Sequence, residues 1–306
     1  MGKKTTSDAY SALQENALLR VSWKSLWLLL LPVGLLAAPE GSRVEKTVNT
    51  TPNPRISLSN LTGEIVVRGW SRTQVHAVCT MSSPRVELDT SVFPEGPGPA
   101  EKIHFDTHVL DPLATGKDQG ADYMMEVPVG SSVEITNRSG SAVIENLQGE
   151  ASVESVGGTI SVRDVAGHLA VRSVGGDIEV VRPSGRVEAS SITGNLHFVS
   201  ATGSRVRGIT TSGKILYEGD LVSGGDYALS SYSGDIELLC PASASFELNA
   251  KTVRGKVNNG FPLTARRHLP SRLASSSSLL GTHNAGNATV EVKSFSGTIR
   301  IRPQPN

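Results

Sequence analysis

The first run whose residue types could do chemistry is His104-Phe105-Asp106-Thr107-His108. On a strand, alternate side chains share a face, so His104, Asp106 and His108 project together while Phe105 and Thr107 project the other way. Two imidazoles and a carboxylate form a transition-metal ligand set. Same-face neighbours on a strand stand ~7 Å apart, however, and a metal needs convergence. A solvated strand face with Phe105 buried satisfies the same pattern. Asp177 and Asp235 are the second candidates, because paired carboxylates in a groove cleave glycosidic bonds. Both follow equivalent glycines, on an edge that reads Thr159, Asp177, Asn195, Lys214, Asp235, Lys256. With rungs about 4.8 Å apart, the two acids stand three rungs, roughly 14 Å, from each other, beyond the ~5–9.5 Å that glycosidases use. Lys214 beside Asp235 reads instead as charge-complementary stacking.

Calcium is the third possibility, since nonapeptide rolls bind it through Gly-Gly-x-Gly-x-Asp-x-apolar-x. Gly157-Gly158-Thr-Ile160-Ser-Val162 and Gly175-Gly176-Asp-Ile178-Glu-Val180 share the two leading glycines. Ile160 and Ile178 then replace the third glycine, and Val162 and Val180 occupy the aspartate position. Inward apolar side chains cannot ligate a hard cation. No Gly-x-Ser-x-Gly elbow and no phosphate loop occurs. The serines cluster at repeat bends, where short hydroxyls bond the backbone. No catalytic residue and no cofactor is expected.

The elements that carry these residues come from a repeat. Gly140, Gly149, Gly158, Gly167, Gly176, Gly185, Gly194 and Gly203 fall every nine residues, and such strictness signals a repeat architecture. Counting the glycine as the first position, the third and fifth positions of each unit from Gly140 to Gly194 are apolar, as in Gly158-Thr-Ile160-Ser-Val162, which is the period of a short strand. Glycine closes each bend, where positive φ or close backbone approach is required. Ser155-Val-Gly-Gly and Ser173-Val-Gly-Gly are eighteen apart, so two units make one coil. The sequence thus predicts an all-β, single-chain parallel β-solenoid with about 18 residues per coil and two sheets. The crossover rule favours a right-handed coil. Gly213, Gly234, Gly255 and Gly297 continue the structural glycines.

The chain has 306 residues, with 29 basic and 29 acidic side chains. That balance and the lack of a basic stripe argue against nucleic-acid binding. Aromatic residues are scarce at 5%, which suits stacked short strands better than a large globular core. Cys79 and Cys240 lack zinc-like spacing; they read as two separate buried residues, or as a disulfide in an exported protein.

Residues 1–24 form a basic N-terminal region. Residues 25–38 follow as an apolar run of about fourteen, which reads as the core of a secretory signal or as an uncleaved membrane anchor, being short of the ~20 residues of a spanning helix. Either reading places the remainder outside the cytoplasm, in the periplasm, the envelope or the medium, with the inner-membrane-anchored form as the alternative. Membrane contact is expected only through that segment. Residues 43–130 are strand-rich and predict a cap on one end of the solenoid. The regular repeat covers 131–258, a flexible loop insertion 259–288, and a final coil 289–306, whose Arg300, Arg302 and Pro303 would blunt the other end.

Leu58-Ser-Asn60-Leu-Thr-Gly63-Glu-Ile65-Val-Val67-Arg-Gly69-Trp70, followed by Gln74-Val-His-Ala-Val78, resembles the opening of the bacterial putative-adhesin family, a domain of unknown function. Tyr123-Met-Met-Glu-Val127-Pro128 with Val133-Glu-Ile135 resembles that family's passage into its repeats. The Ser-x-Gly-x-Ile-x-Val units and the closing Ser296-Gly297-Thr298-Ile299-Arg300-Ile301 match its style. The resemblance spans residues 43–306 and implies an exported, elongated β-solenoid. It brings no ligand and no catalytic residues.

The outward positions of one sheet are Ser161, Glu179, His197, Leu216, Glu237 and Asn258; the other shows Ser152, Ala170, Glu188, Ala228 and Glu247. Flat, mixed faces suit broad contact with a polymer or protein rather than a deep pocket. The sequence therefore points to a non-enzymatic, adhesin-like protein that meets a protein or polysaccharide surface. A membrane-anchored structural or envelope-sensing accessory is the second reading, and a glycan-active enzyme the third.

Overall fold

A computed structural model describes residues 42–110, 119–265 and 274–304. They belong to the unit Pro39–Asn306; the unit Met1–Ala38, with the basic lead and the apolar run, lies outside the described residues. Twenty-four strands occupy the described residues, in two sheets here named A and B. No helix among them is long and apolar enough to cross a membrane.

Six strands build the N-terminal end: β1 (Arg43–Thr62), β2 (Ile65–Trp70), β3 (Gln74–Met81), β4 (Val86–Phe93), β5 (Ala100–Val109) and β6 (Ala121–Pro128). β1 serves both sheets. Its first part, Arg43–Asn49, pairs antiparallel with β3 in sheet A, and its second part runs parallel to β5 in sheet B. β3 continues antiparallel onto β6, and β6 lies parallel to β2. β4 closes sheet B antiparallel to β5.

The regular middle follows: β7 (Ser132–Ser139), β8 (Ala142–Leu147), β9 (Ala151–Ser155), β10 (Ile160–Val165), β11 (Leu169–Ser173), β12 (Ile178–Val181), β13 (Arg186–Ser191), β14 (Leu196–Ala201), β15 (Arg205–Thr210) and β16 (Ile215–Gly219). Odd strands stack in parallel in sheet B and even strands in sheet A. β7 sits against β1, and β8 against β2, so the coil Arg55–Trp70 is locked between β5/β6 and the repeat. In register, Ile160, Ile178, Leu196 and Ile215 stack on one another, as do Val162, Val180, Phe198 and Tyr217. All eight are almost fully buried. Each such aliphatic side chain contributes about 1.5–3 kcal/mol, and the period-two alternation places it there without a choice of face.

The repeat glycines are needed mainly because rungs approach closely. A Cβ on Gly176 would stand 1.8 Å from the Gly158 carbonyl oxygen, and one on Gly194 1.9 Å from that of Gly176. Left-handed φ adds to this at Gly140 (109°) and Gly158 (93°). Gly149, Gly167, Gly185 and Gly203 form a second column at the opposite bend, each with its Cβ position 2.0–2.2 Å from a carbonyl oxygen one coil earlier.

The C-terminal end is β17 (Asp226–Ser231), β18 (Ile236–Cys240), β19 (Phe246–Thr252), β20 (Val257–Asn259), β21 (Ala274–Ser275), β22 (Ser278–His283), β23 (Ala288–Ser294) and β24 (Ile299–Pro303). Its spatial order corrects the order expected along the chain. β23 lies between β17 and β19, and β24 between β18 and β20. The coil of residues 289–301 is thus one rung inside the end, and Arg300 and Arg302 sit in the ladder instead of blunting it. The end is closed by β19/β20 and by β22, which pairs antiparallel with β19 and with β21. The segment 259–288, expected as a flexible loop, therefore contains a hairpin; its residues 266–273 lie outside the described residues. Along the Asp177 edge, Thr298 intervenes between Asp235 and Lys256. Arg300 likewise intervenes between Glu237 and Asn258.

Candidate functional site

The polar groups singled out at the corners serve the main chain. The Asp177 carboxylate accepts the Asn195 amide N–H at 2.7 Å, and the Asn195 side-chain oxygen accepts that of Lys214 at 2.9 Å. Asp235 accepts from Thr298 N at 2.8 Å and pairs with Arg300 at 2.9 Å. The Thr298 amide, then Arg300, hold the Asp235 carboxyl below its ordinary range. Asp177 and Asp235 are separated by the strands of Asn195 and Lys214, three rungs, and each is committed to the next rung. At the same corner, buried Ser173, Ser191, Thr210, Ser231, Thr252 and Ser294 accept from the glycine amide three residues on, at 2.8–3.1 Å. From Ser191 onward each also donates to the glycine carbonyl of the adjoining rung. These hydroxyls satisfy buried backbone groups whose orphaning would cost about 1–3 kcal/mol each.

His104, Asp106 and His108 do share the outer face of β5, but they divide between two partners. His104 Nδ1 is hydrogen-bonded to Ser57 Oγ at 2.7 Å. His108 Nε2 lies 3.1 Å from Asp89 and 3.4 Å from Asp106. Among the described residues no three His, Cys, Asp or Glu side chains are gathered as a metal site.

An open cleft of about 810 Å³ lies on the outer face of sheet B, where β4, β5, β1 and β7 meet. The register explains its lining. Ser91, His104, Ser57 and Glu134 are level neighbours on four adjacent strands. Phe93 and Lys102 form the next level, and Ser59 and Thr136 the one on the other side. Phe93 is 64% exposed at the rim, beside Glu95. Farther along this sheet four ion pairs form, Glu154 with Arg172, Arg186 with Glu188, Arg205 with Asp226 and Glu291 with Lys293, while Arg207 and Lys251 have no ion-pair partner among the described residues. Lys102, Glu95 and Glu134 have no ion-pair partner among the described residues.

The Ser57–His104 pair is the contact in this cleft closest to nucleophile chemistry, and its surroundings do not complete it. A serine nucleophile needs an imidazole that is itself oriented by a third group. Here the carboxylate neighbour, Glu134, lies across Ser57 on β7, on the side away from the imidazole. Among the described residues Ser57 is the sole hydrogen-bond partner of His104. The arrangement is a row of hydrogen-bonding groups beside an exposed ring.

Both cysteines are free and buried. Burial pushes the Cys79 thiol up to about 11 and that of Cys240 up to about 12. Cys79 is on β3 and Cys240 on β18. In the order β3, β6, β2, β8, β10, β12, β14, β16, β18 that is eight rungs, roughly 38 Å, so they do not form a disulfide.

Residues 199–302, about a third of the chain, match the family model described as Toastrack DUF4097. This bears out the resemblance to a domain of unknown function and the all-β solenoid reading. Two crystal structures align with 86% of this chain. One, described as a putative cell adhesion protein from Clostridium sporogenes ATCC 15579, is covered over 100% of its length, with 10% identity and a TM-score of 0.28. The other, described as a putative adhesin from Bacteroides fragilis NCTC 9343, is covered over 98%, with 12% identity and a TM-score of 0.45. No curated protein matches the chain significantly.

The cleft residues Ser57, Ser91, Phe93, Lys102 and Glu134 carry no motif in the sequence. The His104 run hinted at a polar face, but the partner Ser57 is 47 residues away and belongs to a strand inserted out of order.

Proposed function

We propose that this chain is a non-enzymatic, adhesin-like solenoid, and that the cleft of β4, β5, β1 and β7 binds a hydroxyl-rich polymer, a polysaccharide segment. The apolar run Ser25–Ala38 supports a location outside the cytoplasm as part of the same reading. The observation that carries it is the contrast in pairing. Among the described residues beyond the cleft, sheet B carries four ion pairs and leaves Arg207 and Lys251 single on separate rungs, while Glu134, Lys102 and Glu95 stand without ion-pair partners together around one concavity. Glu134 can accept from neighbouring sugar hydroxyls, Lys102 can donate, and Ser57, Ser59, Ser91 and Thr136 can do either. The exposed Phe93 ring offers an apolar face to a pyranose. The cleft is open along the sheet, which suits an internal segment of a polymer rather than a captured small molecule.

The test is a binding screen of the full chain against soluble and immobilised polysaccharides, repeated with Phe93→Ala and Glu134→Gln. A binder is expected whose affinity drops about tenfold in each variant, the equivalent of ~1.4 kcal/mol. The absence of any binder at micromolar concentration, or a binder indifferent to both changes, counts against the cleft. Turnover of the polymer that disappears in Ser57→Ala would replace this reading with a catalytic one.

A further inference from the structure

The coil β23–β24 is an insert in a slot built by other parts of the chain. β23 is hydrogen-bonded in parallel to β17 through Asp226↔Thr289 to Ser231↔Ser294, and to β19 through Phe246↔Ala288 to Thr252↔Ser294. β24 is held in the same way between β18 and β20. Without this coil the two flanking rungs would face each other over about 9.6 Å, twice the spacing a ladder can bridge. The chain strides over that gap in Pro241–Ser245, builds the last rung and the hairpin, and only then returns to fill it.

The slot is specific. Asp235 takes Thr298 N and Arg300, Glu237 takes Arg302, and Thr252 donates to the Gly297 carbonyl at 3.0 Å. Tyr232 stacks on Phe295, with centroids 4.8 Å apart and planes 4° apart. A Cβ on Gly297 would stand 2.0 Å from the Gly234 oxygen, so the acceptor demands glycine at that corner. Ala288, Val290, Val292, Ile299 and Ile301 are almost completely buried between the neighbouring rungs. These partners are 40 or more residues from the insert in sequence, and none needs chain connectivity to act. Connectivity enters only at the hinge Asn284–Asn287, which passes from β22 over the end of β19. That hinge holds two left-handed residues, Asn284 at φ 53° and Gly286 at φ 71°. Asn adopts that region readily, and the Asn284 side-chain amide donates to the Ala244 carbonyl at 2.8 Å, so opening the hinge costs this local bond and leaves the slot contacts untouched.

We propose that this slot is a strand-acceptor site, and that its alternative occupant is the β23–β24 coil of a second copy of the chain, giving a swapped dimer. The coil's own sequence, Ser294-Phe-Ser-Gly297-Thr298-Ile-Arg300, satisfies every group described above, and a second copy supplies it unchanged. Exchange of an identical element preserves every contact of the coil in its slot and alters only those of the hinge, among them the bonds of Asn284 and Asn287 to Ala244, Ser245 and Gly224. An extended hinge of four residues reaches about 13–14 Å, enough to carry the coil out of its own slot. The inference is independent of the sheet B cleft.

The full chain bearing Tyr232→Cys and Phe295→Cys tests this. The reduced protein is held concentrated at a temperature just below its unfolding transition, diluted, oxidised and run on a non-reducing gel. A disulfide joining two copies is expected, in a fraction that rises with the holding concentration. Protein oxidised before concentration should stay monomeric. Intramolecular disulfide alone, at every concentration, overturns the proposal. Should the double variant fail to fold, native mass spectrometry of mixed heavy and light wild-type protein replaces it. Mixed dimers that are lost in Gly297→Val support exchange through the slot; monomers only, or dimers that persist in Gly297→Val, refute it.

Discussion

Alanine at Gly176 should be strongly destabilising and alanine at Gly175 nearly neutral, although the two residues are adjacent in one corner. The Cβ added at Gly176 would meet the Gly158 carbonyl oxygen at 1.8 Å and its carbon at 2.8 Å, both main-chain atoms of the neighbouring rung. Ordinary Cβ contacts begin near 3.4 Å, so the rung must open by more than an ångström, which strains the Ser173 and Gly176 bonds of that corner as well. Overpacking costs typically 1–3 kcal/mol where side chains can yield. A backbone carbonyl fixed in a ladder cannot, and a loss of ~3 kcal/mol or more follows. For a domain of this size each kcal/mol moves Tm by about 2–4 °C, so a fall of ~6–12 °C is expected. At Gly175 the nearest atom is the Val156 oxygen at 3.6 Å, and φ lies outside the left-handed range. Alanine there should change stability by no more than ~0.5 kcal/mol, or raise it slightly through the unfolded chain. Thermal unfolding of both variants by circular dichroism decides the matter. Equal effects, or a neutral Gly176→Ala, would refute close rung approach as the reason for the glycine column.

Three further outcomes are expected. Phe198→Ala should cost about 3–5 kcal/mol, because the ring is buried against Tyr217 and Gly208 in the centre of the stack,; chemical denaturation checks it. Asp235 has its folded pKa lowered, so its contribution is present above the unfolded value of 3.8 and is lost as pH falls through the folded one. The stability gap between wild type and Asp235→Asn should accordingly narrow below about pH 4, and a gap that widens on acidification contradicts the assigned sign. Thiol titration of the native protein should find neither cysteine reactive, since both are buried and pushed above 10, and denaturation should release two thiols. Fewer than two would contradict the free state and wide separation of Cys79 and Cys240.

The middle of the solenoid was legible because one rule generates it. Gly140 to Gly203 fix the bends, and the apolar third and fifth positions fix the face, so Ile178 could be placed on Ile160 from spacing alone. Periodicity carries no information about which rungs are neighbours when the chain skips one. The pairing of β24 with both β18 and β20 rests on a stride across Pro241–Ser245 that looks, in sequence, like one more bend. The same limit hid the N-terminal order, where β2 enters between β6 and β8. The cleft depends on that order. Ser57, His104 and Glu134 are drawn from positions far apart in the chain and become level neighbours only after β1 is inserted between β5 and β7. The corner acids were readable as a ladder because Asp177, Asn195 and Lys214 keep the eighteen- to nineteen-residue phase.

Hydrogen–deuterium exchange of the full chain, alone and saturated with the tightest polysaccharide from the screen, tests the binding account most directly. Protection is predicted to concentrate in residues 55–59, 91–95, 102–104 and 134–136, and to vanish in Phe93→Ala at the same ligand concentration. Protection centred elsewhere, for instance on the exposed Val156, Val174 and Ile192 that follow β9, β11 and β13, would contradict the assignment of the cleft as the binding site.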